Sequence, residues 1–183
     1  MTRSPRRADA RANDERILLA AARVLAEDPG ATIQRIADEA GVVRLTVYRR
    51  YPGRDALRRA IFEAAAAEAT AVIPDDTEDP VASLRELIVA MAALVRRYPL
   101  LVTDPAPRPH QAPGIRAMRR AVLGLVERGQ ELGVLRADLP ADLLPRAIVG
   151  TLRMLPPGSG VGGAQVADLL LDGFRARGRR RTV

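Results

Sequence analysis

A short run of cationic and hydroxyl-bearing side chains lies between residues 44 and 50. It contains Arg44, Thr46, Tyr48, Arg49 and Arg50, with Leu45 among them. A guanidinium group can hold a guanine edge through two hydrogen bonds or clasp a phosphate, and hydroxyl groups can bond to phosphate oxygens. An apolar side chain can contact a thymine methyl group. These residue types suit a surface that binds DNA, and the alternative is the outer surface of an ordinary helical bundle.

Two short predicted helices position this run. Thr32 is a good N-cap for the first helix, and Gly41 predicts its left-handed end. The apolar residues between them fall at positions i, i+3, i+4 and i+7, namely Ile33, Ile36, Ala37 and Ala40. The second helix is expected from about Val43 to Tyr51, where a Pro-Gly pair follows. Two short helices joined by a few residues that include a glycine are typical of a helix-turn-helix motif.

The faces of the second helix follow from a rotation of about 100° per residue. The residues expected on the inward side are Val43, Val47 and Tyr51. Those expected opposite them are Leu45, Tyr48 and Arg49, with Arg44, Thr46 and Arg50 on the flanks. The outward side is therefore predicted to be rich in Arg and Tyr.

Helical spacing of apolar residues continues along the chain and predicts an all-α fold. A first helix is expected from Ile17 to the turn at residues 28–30, and a fourth from a cap at Asp55 to Ile73. Further helices are expected at about residues 81–101, 115–132, 140–155 and 164–177, the last with Val166, Leu169, Leu170 and Gly173 on one face. An acidic segment at residues 75–80 marks a boundary, and a Pro-rich irregular loop is expected at residues 105–113.

Charge is unevenly distributed along the sequence, and every one of the 29 basic residues is Arg. Residues 1–59 carry 13 Arg and 8 acidic residues, a net charge of +5, whereas residues 60–174 carry 11 and 14, a net charge of −3. Five Arg residues among the last nine positions add another +5. A basic N-terminal part followed by a mildly acidic part favours a polyanionic partner for the former.

Composition also excludes several kinds of site. The absence of Cys excludes disulfides and thiolate metal sites, and a single His excludes a His-rich metal site. The absence of Lys excludes a Walker-type phosphate loop and a Schiff-base lysine. The string Gly158–Gly163 fits the G-x-G-x-x-G pattern, but it follows a predicted helix end instead of a strand. We therefore expect no enzyme activity, no cofactor and no metal.

The sequence also lacks the marks of export or membrane insertion. The first 20 residues carry Arg and Asp where a secretory signal needs an apolar run. Apolar runs elsewhere are shorter than the roughly 18 residues of a membrane span. We expect a soluble, cytoplasmic protein with no membrane partner.

The residues from Ile17 to Ala56 resemble the DNA-binding domain of TetR-family transcriptional regulators. The segments 32–42 and 46–57 carry the resemblance, and residues 133–139 before a helix are similar to the family's C-terminal domain in layout. The resemblance implies a helix-turn-helix DNA-binding domain at residues 1–55 and a connecting helix at residues 56–73. Residues 74–183 would form a helical ligand-binding and dimerisation domain.

The resemblance also implies a homodimer whose third helix enters the DNA major groove. The residues implied to face base edges are Arg44, Leu45 and Arg49. Those implied to hold phosphates are Thr32, Thr46, Tyr48 and Arg54, while Arg50 could do either. Leu45 stands where the family usually has a small residue or Pro, and Arg50 where it often has His.

A cavity for a small, largely apolar effector is also implied in the C-terminal part. Its walls are expected from Met91, Leu94, Val95, Tyr98, Met118, Val122, Ile148, Leu152 and Met154, with ordinary core packing as the alternative. His110 is a candidate gate or ligand contact in the Pro-rich loop. Arg153 is a candidate partner for an acidic ligand or for Asp168.

Dimers of this family usually pair through their last two helices, here residues 140–155 and 164–177. The expected interface residues are Ile148, Leu152, Val166, Leu169, Leu170 and Phe174. Burial within the monomer is the alternative for these residues.

The sequence therefore predicts a dimeric repressor that binds a roughly palindromic double-stranded DNA operator and leaves it when a small molecule binds. One alternative keeps the fold and the DNA but makes the protein an activator or a regulator controlled by a protein partner. The alternative outside this class is a helical interaction module without specific DNA binding.

Overall fold

The computed structural model describes residues 5–74, 78–104, 112–155 and 160–176, with side chains from residue 11 onwards. Its helices are, in chain order, α1 (Pro5–Glu27), α2 (Ile33–Ala40), α3 (Arg44–Arg50), α4 (Arg54–Thr70), α5 (Pro80–Arg97), α6 (Leu100–Thr103), α7 (Pro113–Glu131), α8 (Leu143–Met154) and α9 (Gly163–Phe174). Within the described residues the only β-pairing is an isolated bridge between Leu135 and Arg175. The expected all-α fold is confirmed.

The chain divides into two compact units. The first, called the head unit below, contains the described residues up to Ala65 and those from Val95 to Ala112. The second, the body unit, contains Ala66–Leu94 and the described residues from Pro113 onwards. These units differ from the division expected at residue 74, because α4 and α5 each contribute residues to both.

The head unit is organised around α1, which packs against α2 and α6. The buried residues of α1 recur at helical spacing and include Ile17, Ala21, Val24 and Leu25. This helix begins at Pro5, so the start expected at Ile17 was too late. Its end before the turn at Asp28 was predicted correctly, and the backbone N–H of Gly30 donates to Asp28 Oδ1 there at 2.9 Å.

The body unit buries one face of each of its longer helices. The buried residues include Leu84, Leu87 and Ile88 of α5, Val122, Leu125 and Val126 of α7, and Leu144, Ile148 and Leu152 of α8. Helix α8 packs against both α7 and α9. Helix α5 begins with a side-chain cap, since Asp79 Oδ1 accepts hydrogen bonds from the backbone N–H groups of Val81 and Ala82, each at 3.0 Å.

Three expected helix starts or faces were wrong. Helix α4 begins at Arg54, so Asp55 lies inside its first turn instead of capping it. Helix α8 begins at Leu143 and not at residue 140. The buried residues of α9 are Val166, Ala167 and Leu171, whereas Leu169 is 70% exposed.

The glycine-rich string has a packing role where the structure describes it. Its last residue, Gly163, is the first residue of α9. A Cβ atom at Gly163 would lie 3.0 Å from Ala92 Cβ and 3.1 Å from Val89 Cα, so glycine allows α9 to approach α5 closely. Residues 156–159 lie outside the described residues, as do residues 105–111 of the loop expected at 105–113. Pro113, the last residue of that expected loop, begins α7.

Candidate nucleic-acid interface

Helix α2 is fixed at both ends by the residues that the sequence predicted. The backbone N–H of Arg35 donates to Thr32 Oγ1 at 3.2 Å, so Thr32 is the N-cap. Gly41 has φ +64° and ends the helix, and the N–H of Val42 donates to the carbonyl of Ala37 at 3.0 Å. Because the Thr32 oxygen acts as acceptor in the cap, its O–H group stays available to donate to a phosphate.

Helix α3 is held to the head unit by one fully buried side chain, Val47. Its other side chains are exposed, namely Arg44, Leu45, Thr46, Tyr48, Arg49 and Arg50. The prediction of an outward surface rich in Arg and Tyr is therefore confirmed. An exposed Leu beside these polar groups gives the surface an apolar contact point as well.

The inward side predicted for α3 was wrong at one position. Val43 is the N-cap residue, with φ −72° and ψ 138°, and it is 72% exposed. Because its backbone is extended and not helical, the rotation of about 100° per residue does not apply to it. Tyr51, at the other end, is half-buried as expected of an inward residue.

The guanidinium groups of α3 differ in their surroundings. Among the described side chains, neither Arg44 nor Arg49 has an ion-pair partner. Arg50 does, since its Nη2 lies 2.6 Å from Oδ2 of Asp14 on α1. This pairing raises the pKa of Arg50, and burial, followed by the charge of Asp14, raises the pKa of Tyr51.

Several arginines outside α3 are bound to other groups of the head unit. Arg23 pairs with Glu39 at 3.1 Å, and Arg35 pairs with Glu27 at 3.2 Å. Arg58 donates from Nη2 to the carbonyl of Pro29 at 3.1 Å. Its Nε lies 2.9 Å from Asp104 Oδ2 in an ionic contact whose angle is outside hydrogen-bond geometry.

The predicted phosphate clamp, Arg54, lies at the first residue of α4 and is exposed. Its Nη1 is 3.5 Å from the carbonyl oxygen of Pro29, at the outer limit of a hydrogen bond. No other hydrogen bond of Arg54 is formed with the described residues, so most of its donors can bind an anion at the edge of the helix-turn-helix. The structure thus places Thr32 at the start of α2 and Arg54 at the start of α4, while α3 carries the remaining predicted contacts.

Most of the residues predicted to line a ligand pocket are buried or half-buried, and one of them is exposed. Leu94, Tyr98, Val122, Ile148 and Leu152 are buried, and Met91, Val95 and Met118 are half-buried. Met154 is 84% exposed, so it lines no cavity. His110 lies outside the described residues.

A cleft in the body unit lies elsewhere and is polar. Its volume is about 200 Å³, and it is lined by Asp79, Val81, Ala82, Arg85, Asp168, Leu171, Asp172 and Arg175. None of the predicted pocket residues is among them. Asp168 pairs with Arg85 at 3.0 Å, so the suggested pairing of Asp168 with Arg153 was wrong, and Arg153 is exposed.

The predicted interface residues on α8 and α9 fall into two groups. Ile148, Leu152 and Val166 are buried within the single chain, because these faces pack α8 and α9 into the body core, and they do not reach its surface. Leu169 is exposed, and Leu170 and Phe174 are half-buried. Two further apolar residues of α8 are exposed: Val149, which sequence reasoning missed, and Met154, which it assigned to the cavity wall.

The fold and the site together define a helix-turn-helix DNA-binding protein. Comparison with known proteins agrees with this assignment: residues 17–61 match the family model described as bacterial regulatory proteins, tetR family. No curated protein matches the sequence. Residues 17–61 therefore match the TetR-family DNA-binding domain, and the resemblance to TetR-family transcriptional regulators is confirmed.

Solved structures extend the likeness over the whole fold. The TetR-family regulator PfmR from Thermus thermophilus is 22% identical, with a TM-score of 0.67 over 90% of this chain and 99% of that chain. The ketosteroid regulator KstR2 of Mycobacterium tuberculosis is 22% identical, with a TM-score of 0.62 over 96% and 98%. A TetR regulatory protein from Mycobacterium vanbaalenii is 27% identical, with a TM-score of 0.59 over 93% and 99%.

Two further findings bear on the class of protein. TetR-family regulators are non-enzymatic DNA-binding proteins, which agrees with the expectation that this chain is not an enzyme. In the described part of the chain, no helix is both long and apolar enough to cross a membrane.

Proposed function

We propose that the protein is a homodimeric transcriptional repressor that binds a roughly palindromic operator and leaves it when a small, largely apolar molecule binds. The observation that carries the DNA-binding part is the exposed face of α3, anchored by the buried Val47. A short helix held in this way can enter the major groove, which admits an α-helix.

The roles proposed for individual residues follow from their chemistry and position. Arg44, Leu45 and Arg49 would face base edges, since guanidinium groups can bond guanine and Leu can contact a thymine methyl group. Arg44 and Arg49 lack an ion-pair partner among the described side chains, which leaves their donors free for DNA. The hydroxyl groups of Thr32, Thr46 and Tyr48, with the guanidinium of Arg54, would hold phosphates.

The proposed homodimer rests on apolar residues that the single chain leaves uncovered. Val149 and Met154 of α8 and Leu169 of α9 are exposed, and these two helices pack against each other. Large exposed apolar residues often mark contacts with a partner chain. Leu169→Glu is expected to shift a dimer to monomers in light scattering at micromolar concentration. Leu132→Glu, at another exposed Leu after α7, is the matched control and should leave the mass unchanged.

Control by a small molecule depends on the body unit admitting a ligand. The proposed ligand would lie among Met91, Leu94, Met118 and Val122, which are buried or half-buried. A ligand that binds only the conformation unable to hold DNA would shift the equilibrium toward that conformation and release the operator. A panel of small apolar molecules should therefore include some that release the protein from DNA and raise its melting temperature together.

The decisive experiment selects the duplexes that the protein binds from a pool of random DNA sequences. The affinity of the protein for the selected sequence is then measured across salt concentrations. A selected palindrome, with log K falling by about 0.9 per neutralised phosphate for each decade of salt, is the expected result. Affinity independent of salt, or no enrichment, would favour a helical interaction module. A reporter gene placed behind the selected site then separates a repressor from an activator or a partner-controlled regulator.

A further inference from the structure

One arginine of α3 is bound within the protein, unlike its neighbours. Arg50 Nη2 lies 2.6 Å from Asp14 Oδ2, and the two residues are 36 positions apart in the chain. The Arg50 side chain is 63% exposed, whereas that of Asp14 is 24% exposed. The carboxylate is therefore set into the surface of the head unit, while the guanidinium extends over it toward solvent.

This ion pair has two physical consequences. Because the guanidinium is mostly exposed, the pair adds little stability, so an acceptor on DNA that is placed to bond directly to the guanidinium can displace Asp14. While the pair is intact, the negative charge of Asp14 cancels the positive charge of Arg50 for any group that does not contact the pair directly. A nearby phosphate thus gains little from Arg50 unless it takes over the guanidinium completely.

We propose that Asp14 is a specificity-determining residue of the DNA interface, which withholds Arg50 from phosphates of non-operator DNA. The inference rests on the DNA-binding function proposed above. Nonspecific complexes are held mainly by phosphate contacts, so removing one such contact weakens them most. An operator that presents a correctly placed acceptor to Arg50 recovers the interaction, and the ratio of specific to nonspecific affinity rises.

The test measures the salt dependence of binding to two duplexes, one of mixed sequence and one selected by the wild-type protein. The central variant is Asp14→Asn, which removes the charge and keeps the size of the side chain. Glu15→Gln is the matched control: it removes a carboxylate from the next residue of α1, whose partner is Arg97 and not a residue of α3. Thermal melting of each variant checks that it is folded, and Asp14→Ser provides a second neutral residue at position 14.

On mixed-sequence DNA, the slope of log K against log salt should steepen by about 0.9 per protomer in Asp14→Asn. At about 0.15 M salt this corresponds to roughly fivefold tighter binding per protomer, if the electrostatic gain vanishes near ~1 M salt. The selected duplex should gain less, so specificity falls. Glu15→Gln should leave the slope unchanged.

The Arg50→Gln background shows whether the effect passes through Arg50. Arg50→Gln alone should not change the slope on mixed-sequence DNA, and adding Asp14→Asn to it should not steepen the slope. The inference is overturned if Asp14→Asn and Glu15→Gln have equal slopes, or if Arg50→Gln alone lowers the slope by about 0.9. If the wild-type protein itself binds no DNA, the proposed function fails, which is a different outcome from either of these.

Discussion

Val43, the N-cap residue before α3, and Val47, within the helix, offer a direct test of how α3 is held. Val47 is 0% exposed and Val43 is 72% exposed, although the sequence pattern places both on the inward side. Val→Ala at either position removes the same atoms. Since only Val47 is buried, only its substitution should reduce stability.

The expected size of the effect follows from burial. Val47→Ala loses about 1.6 kcal/mol of transfer free energy, at roughly 0.8 kcal/mol for each of two carbon groups. An unfilled cavity adds about 24 cal/mol per Å³, which brings the total loss to about 2–3 kcal/mol. For Val43→Ala the loss should stay within about 0.5 kcal/mol, as for other exposed positions.

Urea unfolding followed by circular dichroism measures both free energies of unfolding. Hydrogen exchange at the N–H of Tyr51, which donates to the carbonyl of Val47 at 2.8 Å, reports local opening of α3. Faster exchange is expected in Val47→Ala alone. Equal losses of stability in the two variants, or none in Val47→Ala, would refute the view that α3 is anchored through this side chain.

Three further substitutions have defined outcomes. Arg49→Ala should cost about 1–3 kcal/mol at particular base pairs of the selected duplex, whereas an equal loss across all duplex variants would mean that Arg49 holds only phosphate. Gly41→Ala should lower the free energy of unfolding by about 1–2 kcal/mol, because alanine is strained at a φ of +64°. The new Cβ meets no neighbouring atom, so this backbone strain is the whole expected loss, and an unchanged melting temperature would contradict it. Gly129→Ala should cost about 1–3 kcal/mol, since its Cβ would lie 2.6 Å from Leu135 Cδ1. Leu135→Ala should relieve part of that cost in the double variant, and strictly additive losses would rule out the clash.

Local signals predicted the helix-turn-helix well. The cap at Thr32 and the left-handed Gly41 depend on backbone geometry within a few residues, so their sequence signatures are specific. The buried position of Val47 and the exposed positions of Tyr48 and Arg49 followed from helical rotation. The same rule failed at Val43 because a cap residue is not helical.

Features that depend on distant residues were beyond the sequence pattern. Asp14 is an ordinary acidic residue in a long helix, and only the packing of α1 brings it to Arg50. In α9 three consecutive Leu residues, 169–171, leave the buried face ambiguous, and contact with the other helices of the body selects Leu171. The sequence suggested Arg153 as a partner for Asp168 because their charges are opposite. In the structure, Arg85 is the residue that pairs with Asp168.

Ion pairs within the head unit reduce the part of its net charge that is available to attract DNA. Arg23 and Arg35 face carboxylates within the head unit, and Arg50 faces Asp14, so much of the positive charge is balanced where it stands. Arg44 and Arg49 have no such partner among the described side chains, and both lie on α3. On α3, the charge that attracts an approaching polyanion and the donors that can read base edges are therefore carried by the same two residues. For that reason, the salt dependence and the sequence preference of binding should change together when either is replaced, whereas Arg35→Gln should affect neither strongly.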